Sequence, residues 1–228
     1  MKWLPACFAV VLLGCGHRTE QYILPDQITD FPVLFAGNCA GCHGPDGRSG
    51  AARPLNDPLL LALFGKDLIG KEKLRDVIAK GVPGTAMPPF AQNAGGTLTD
   101  QQVGILADQM QARWSRPQDF AGVALPAYSA ELGDPALGES VFQRDCSNCH
   151  GEHGIGGSII DPAFLALVSD QSIRTAVITG RADRGMPNWR HHAPGPAMTE
   201  QEIAGVVAWL SSHRVNSGNL AIGGANLP

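Results

Sequence analysis

Cys39-Ala40-Gly41-Cys42-His43 and Cys146-Ser147-Asn148-Cys149-His150 are two copies of one pentapeptide pattern, C-x-x-C-H. Two thiols three positions apart lie on one face of a helical turn, and a histidine follows directly. That order suits covalent haem: each thiol forms a thioether with one vinyl group, and the imidazole points at the iron as proximal ligand. The candidate attachment residues are therefore Cys39, Cys42, Cys146 and Cys149, with His43 and His150 as candidate iron ligands. Two covalently bound haem c groups are the expected cofactors. Other chemistries also use paired cysteines. A four-thiolate zinc site would have to join motifs 107 residues apart, each with its own histidine. Redox dithiols belong in a βαβ setting, and neither motif has one. A structural disulfide inside C-x-x-C would close a very small loop.

The motifs sit in a longer internal repeat. Phe35 and Phe142 each stand four residues before the first cysteine. Asp57-Pro58-Leu59-Leu60-Leu61-Ala62-Leu63 corresponds to Asp161-Pro162-Ala163-Phe164-Leu165-Ala166-Leu167, and Leu74-Arg75 through Gly81 to Ile173-Arg174 through Gly180. Ala86-Met87-Pro88-Pro89 corresponds to Gly185-Met186-Pro187-Asn188, and Leu98-Thr99 to Met198-Thr199. Landmarks in one order, twice, mean two copies of a unit of about 85 residues.

Each unit reads as helices and loops. A short helix leads from Phe35 or Phe142 into the motif. A second carries Leu74, Val77 and Ile78, or Ile173, Val177 and Ile178, at helical spacing. A last helix begins at Thr99 or Thr199, where Gln102 or Glu202 three residues on completes a capping box. Val103, Leu106 and Met110 then share a face, as do Ile203, Val206, Val207 and Leu210. Nothing alternates as a strand would.

The chain has 228 residues, which permits one large or two small domains. Its formal charge of −4 argues against a nucleic-acid partner, and 44% hydrophobic residues suffice for a core. With 28 glycines and 17 prolines, about a fifth of the chain, loops carry much of the fold. Lys2, the apolar run after it and the small residues at its end read as an export signal, too short for a comfortable membrane span. Leu12-Leu13-Gly14-Cys15 resembles the bacterial lipoprotein cleavage box. That resemblance implies cleavage before Cys15, lipid on Cys15, and a location on the periplasmic side of a bacterial membrane; an ordinary signal peptide is the plainer reading. The expected divisions are a signal at 1–14, a lipid-anchored tether at 15–30, a first domain at 31–111, a linker at 112–135, a second domain at 136–214 and a tail at 215–228.

From about residue 28 to 214 the chain resembles two class I c-type cytochromes in tandem. The resemblance implies an all-α fold, with a few helices wrapped around a covalent haem in each domain. It also implies a methionine as sixth iron ligand, on a loop before the last helix and followed by proline. Met87 and Met186 match that place. Met110 and Met198 read instead as core, and His17, His153, His191, His192 and His213 as exposed or loop histidines.

Two features depart from the family pattern. The second unit has its Gly138 and Trp209 helix-crossing pair, where the first has Phe31 and Gln109, so the first crossing should differ. Arg53-Pro54-Leu55 matches a Pro-Leu whose proline carbonyl orients the proximal histidine. Ile160-Asp161 stands there in the second unit, leaving the acceptor for His150 open. Two similar but unequal potentials follow.

The implied function is electron transfer without a small-molecule substrate, as a carrier or as a subunit of a respiratory or photosynthetic membrane complex. The alternatives are a dihaem peroxidase-like enzyme with one open site, or a structural or sensory haem subunit. Residues 16–117 hold 10 basic and 10 acidic groups and residues 118–228 hold 6 and 11, so the second unit should dock on a basic redox partner.

Overall fold

The structure is a computed structural model and describes residues 22–65, 68–83, 85–190 and 195–214. Cys15, the export signal, His17, His191, His192 and the tail at 215–228 lie outside the described residues. Helices make up the regular structure, as the resemblance implies. In the first unit these are α1 (Phe31–Asn38), α2 (Ala40–His43), α3 (Pro58–Gly65), α4 (Leu68–Lys80) and α5 (Asp100–Trp114). In the second they are α6 (Pro135–Asp145), α7 (Ser147–His150), α8 (Pro162–Leu167), α9 (Asp170–Thr179) and α10 (Glu200–Ser212). Among the described residues, extended pairing is confined to isolated bridges at Ala91–Leu98 and Arg181–Met186.

Local chemistry sets the helix starts. Asp30 accepts a hydrogen bond from Val33 N at 3.1 Å, with Pro32 in the first turn. Asp134 caps α6 in the same way. Thr99 and Thr199 both form complete capping boxes, as their spacing predicts. Helices α3 and α8 were not anticipated. They have 8 and 6 residues, too few to show a period, yet both open on Asp-Pro. Asp161 accepts from Phe164 N at 2.9 Å, and Asp57 accepts from Leu59 N at 2.8 Å.

Two apolar cores result. Phe31, Leu34, Phe35, Leu61, Leu74, Ile78, Val103, Leu106 and Met110 fill the first. Val141, Phe142, Leu165, Ile178, Trp189, Ile203, Val206, Val207 and Leu210 fill the second, with Met198 buried among them. The crossings of first and last helices differ, as expected. Gly138 lets α6 meet α10 with no side chain between them; a Cβ there would lie 2.0 Å from the Gly205 carbonyl oxygen. Trp209 packs on Phe142 at 4.5 Å between ring centroids. In the first unit the aromatic partner is Trp114 rather than position 109. It stands edge-on to Phe31 and Phe35 at 6.1 and 5.4 Å.

The segment read as a linker is docked. Helix α5 runs on to Trp114, and beyond it the chain is irregular apart from a short turn at Pro117–Phe120. Leu125 is buried in the second core. The Tyr128 ring stands edge-on to Phe64, 5.3 Å between centroids, and its hydroxyl is 2.9 Å from Thr175 Oγ1. Gly133 N donates to the Ala204 carbonyl at 3.1 Å. Leu59 and Leu63 of α3 also belong to the second core. The two units therefore share apolar surface. The repeat copies of α3 and α8 differ accordingly: Leu63 is 8% exposed and its counterpart Leu167 is 71% exposed.

Candidate functional site

The site begins at the turn after α1 and α6. Each first cysteine is the residue at which the helix ends and the motif turn starts, so Cys39 and Cys146 are buried, while Cys42 and Cys149 face outward. Burial pushes the Cys39 thiol up to about 11, helped by neighbouring Cys42. Burial likewise pushes Cys146 up to about 12, with Asp145 and Cys149 adding to it. Among the described residues no three His, Cys, Asp or Glu side chains are grouped as a metal site.

Both histidines are oriented by a backbone carbonyl. His43 Nδ1 lies 2.7 Å from the Arg53 carbonyl oxygen, and His150 Nδ1 lies 3.0 Å from that of Gly157. A carbonyl only accepts, so each Nδ1 carries the proton and each Nε2 keeps a free lone pair. Burial holds the His43 pKa below its ordinary value, against the pull of the Arg53 bond. This corrects the expectation that Pro54 supplies the acceptor: the carbonyl one residue earlier does so. The loop fixes the choice, because Ala52 N donates to the Cys42 carbonyl at 2.9 Å and Leu55 N to that of Gly47 at 2.7 Å. The acceptor left open for His150 is the Gly157 carbonyl. Arg53 and Gly157 each stand four residues before the aspartate that opens α3 or α8, so one repeat position does the same work twice.

The loops that carry the two methionines are built alike. Gly81 and Gly180, both at φ +68°, set their backbones against the carbonyls of Met87 and Met186, where a Cβ would come within 2.6 Å. Val82 N donates to the Met87 carbonyl at 3.1 Å; Arg181 and Met186 exchange two backbone hydrogen bonds at 2.9 and 3.0 Å. Three residues past each methionine an aromatic ties the loop back: Phe90 N donates to the Ile78 carbonyl and Trp189 N to the Ile178 carbonyl, both at 3.2 Å. These aromatics went unread in the sequence, although their shared offset was visible. Each loop thus borders the same core as its motif: Cys39 with Phe90, and Cys146 with Trp189. Met87 and Met186 are half-buried, whereas Met110 and Met198 are core, as expected.

Other histidines divide. His153 is exposed. His213 is only partly so: its Nδ1 donates to the Trp209 carbonyl at 2.8 Å and its ring packs on that indole, capping α10.

Residues 26–109 and 133–210 match the family of cytochrome c oxidase, cbb3-type, subunit III. The chain belongs to that family. It is a tandem class I c-type cytochrome with two covalently bound haem groups. The cytochrome is 27% identical over 194 residues to the cbb3-type cytochrome c oxidase subunit CcoP of Cereibacter sphaeroides, covering 78% of this chain and 58% of that protein. It is 26% identical over 171 residues to the CcoP of Azospirillum sp. strain B510, covering 68% and 53%. Over 77 residues it is 45% identical to cytochrome c55X of Paracoccus denitrificans, covering 34% and 65%. The chain therefore spans little more than half the length of these CcoP relatives. No helix among the described residues is long and apolar enough to cross a membrane.

Proposed function

We infer that this cytochrome carries electrons rather than transforming a substrate, and works on the periplasmic side of a bacterial membrane as a subunit of a respiratory oxidase complex. Cys39 and Cys42 hold one haem, and Cys146 and Cys149 the other. His43 with Met87, and His150 with Met186, would bind the two irons. The paired imidazole geometry carries this reading: both rings give their Nδ1 proton to a carbonyl and keep Nε2 for the iron.

When bound, each haem supplies a one-electron iron couple, whose potential His/Met ligation raises relative to two histidines. The chain supplies the rest. Its carbonyls fix the imidazoles, its glycine-backed loops hold the thioethers, and its two cores keep water from the buried thiols. The CcoP names borne by its relatives support placement on such an oxidase. Cys15 is the proposed lipid site, and residues 16–30 reach at most about 50 Å from it.

The acidic second unit docks on a basic partner. Added to oxidase-containing membranes and reduced, the haem-loaded protein should be reoxidised at a rate that falls several-fold between low and physiological salt. A salt-independent rate contradicts the docking. Oxidation no faster than in buffer alone contradicts electron delivery.

A further inference from the structure

Arg53 does two things at once. Its carbonyl accepts the Nδ1 proton of His43, in the first unit. Its guanidinium crosses to the second unit, where Nη1 donates to Thr179 Oγ1 at 2.5 Å and to the Gly180 carbonyl at 3.4 Å. Thr179 ends α9, and its hydroxyl donates a hydrogen bond to the Thr175 carbonyl at 2.8 Å. Gly180 is the residue packed against the carbonyls of Met186 and Pro187. The path from the first unit's histidine to the second unit's methionine loop is thus one residue, one hydroxyl and one turn.

The side chain is half-buried, and among the described residues no carboxylate forms an ion pair with it. Asp57 and Asp183 attract it from farther off, while Arg181 repels it. Its binding energy is therefore directed at neutral oxygens of the other unit. The repeat sharpens the point. The equivalent position in the second unit is Gly157, whose carbonyl serves His150 in the same way and which has no side chain to reach anywhere. The link exists only in the copy whose α3 packs on its neighbour.

We propose that Arg53 is a positioning residue that couples the two haem sites, so that the Gly180–Met186 turn of one unit sets the His43 orientation of the other. This rests on the axial-ligand reading given above. Coupling of this kind is reciprocal, and it is read as non-additivity.

Thr179→Val tests it in the haem-loaded protein. The change adds no charge and lies in the second unit, yet the midpoint potential of the first unit's haem should shift. Thr179→Ser, which keeps the hydroxyl, should leave it in place. Arg53→Gln should move both potentials, and Arg53→Gln with Thr179→Val should move the first no further than Arg53→Gln alone. Arg53→Lys keeps the charge without the fork, so it separates a loss of geometry from a loss of charge. Coupling by geometry shifts the potentials in Arg53→Lys also; unchanged potentials there, or a Thr179→Val effect confined to the second haem, overturn the proposal. Met87→Ala and Met186→Ala identify which haem is which. If neither alters the spectrum of its haem, the ligand reading fails instead, and the two failures are told apart.

Discussion

Replacing Cys146 and Cys149 together with serine should leave a protein that carries one haem where the native chain carries two. Its mass falls by one haem and its haemochrome absorbance by half. The consequence for stability starts in the second unit and reaches the first, because Leu59 and Leu63 of α3 belong to the second core. Cys146 is part of the core that Phe142 and Trp189 share. A serine hydroxyl in place of that buried thiol costs about 1–3 kcal/mol when it finds no partner. That is a sizeable part of the net stability of a small domain, about 5–15 kcal/mol. The double variant should therefore unfold at lower denaturant than the native protein, while the attachment at Cys39 and Cys42 is kept. Two haems retained in the double variant would show that these thiols are not the attachment points.

Gly138→Ala should be strongly damaging through packing alone. Its Cβ would stand 2.0 Å from the Gly205 carbonyl oxygen, 2.3 Å from that carbonyl carbon and 2.8 Å from Trp209 Cβ. Two of those atoms are backbone in the middle of α10, so no side-chain rotation relieves the clash. The helices must part, at about 3 kcal/mol for overpacking of this kind. For a chain of this length that lowers Tm by about 10 °C. Gly37→Ala is the control, because a Cβ at Gly37 meets nothing within 4 Å. There the better helix propensity of alanine should stabilise α1 by up to about 1 kcal/mol. Equal melting of Gly138→Ala and the native protein would mean that α6 and α10 do not cross at this point.

These contrasts also show what the sequence carried and what it withheld. The repeat, the motifs, the methionine loops and the two capping boxes are written in short-range patterns, and the fold follows them. The difference between the helix crossings was legible too, since Phe31 stands where Gly138 does. Its solution was not. Trp114 lies five residues beyond the expected position, and only the three-dimensional course of α5 brings its ring onto Phe31 and Phe35. Helices α3 and α8 escaped because six or eight residues complete too few turns to establish a period. The acceptor for His43 was misread by one residue, because which carbonyl faces the ring depends on backbone hydrogen bonds within the loop. The segment at 112–135 looked like a tether from its prolines and lack of period. Composition does not reveal that Leu125 and Tyr128 will find buried partners in units far apart in sequence.

The central claim is that each iron is held by an imidazole on one side and a thioether on the other. Proton magnetic resonance of the reduced protein addresses it directly, because the ring current of a low-spin haem moves the methyl signal of a bound methionine far upfield. The native protein should show two such signals, with Met87→Ala removing one and Met186→Ala the other. Fewer than two in the native protein, or rapid binding of carbon monoxide by its reduced form, would mean that at least one of the two methionines does not bind its iron.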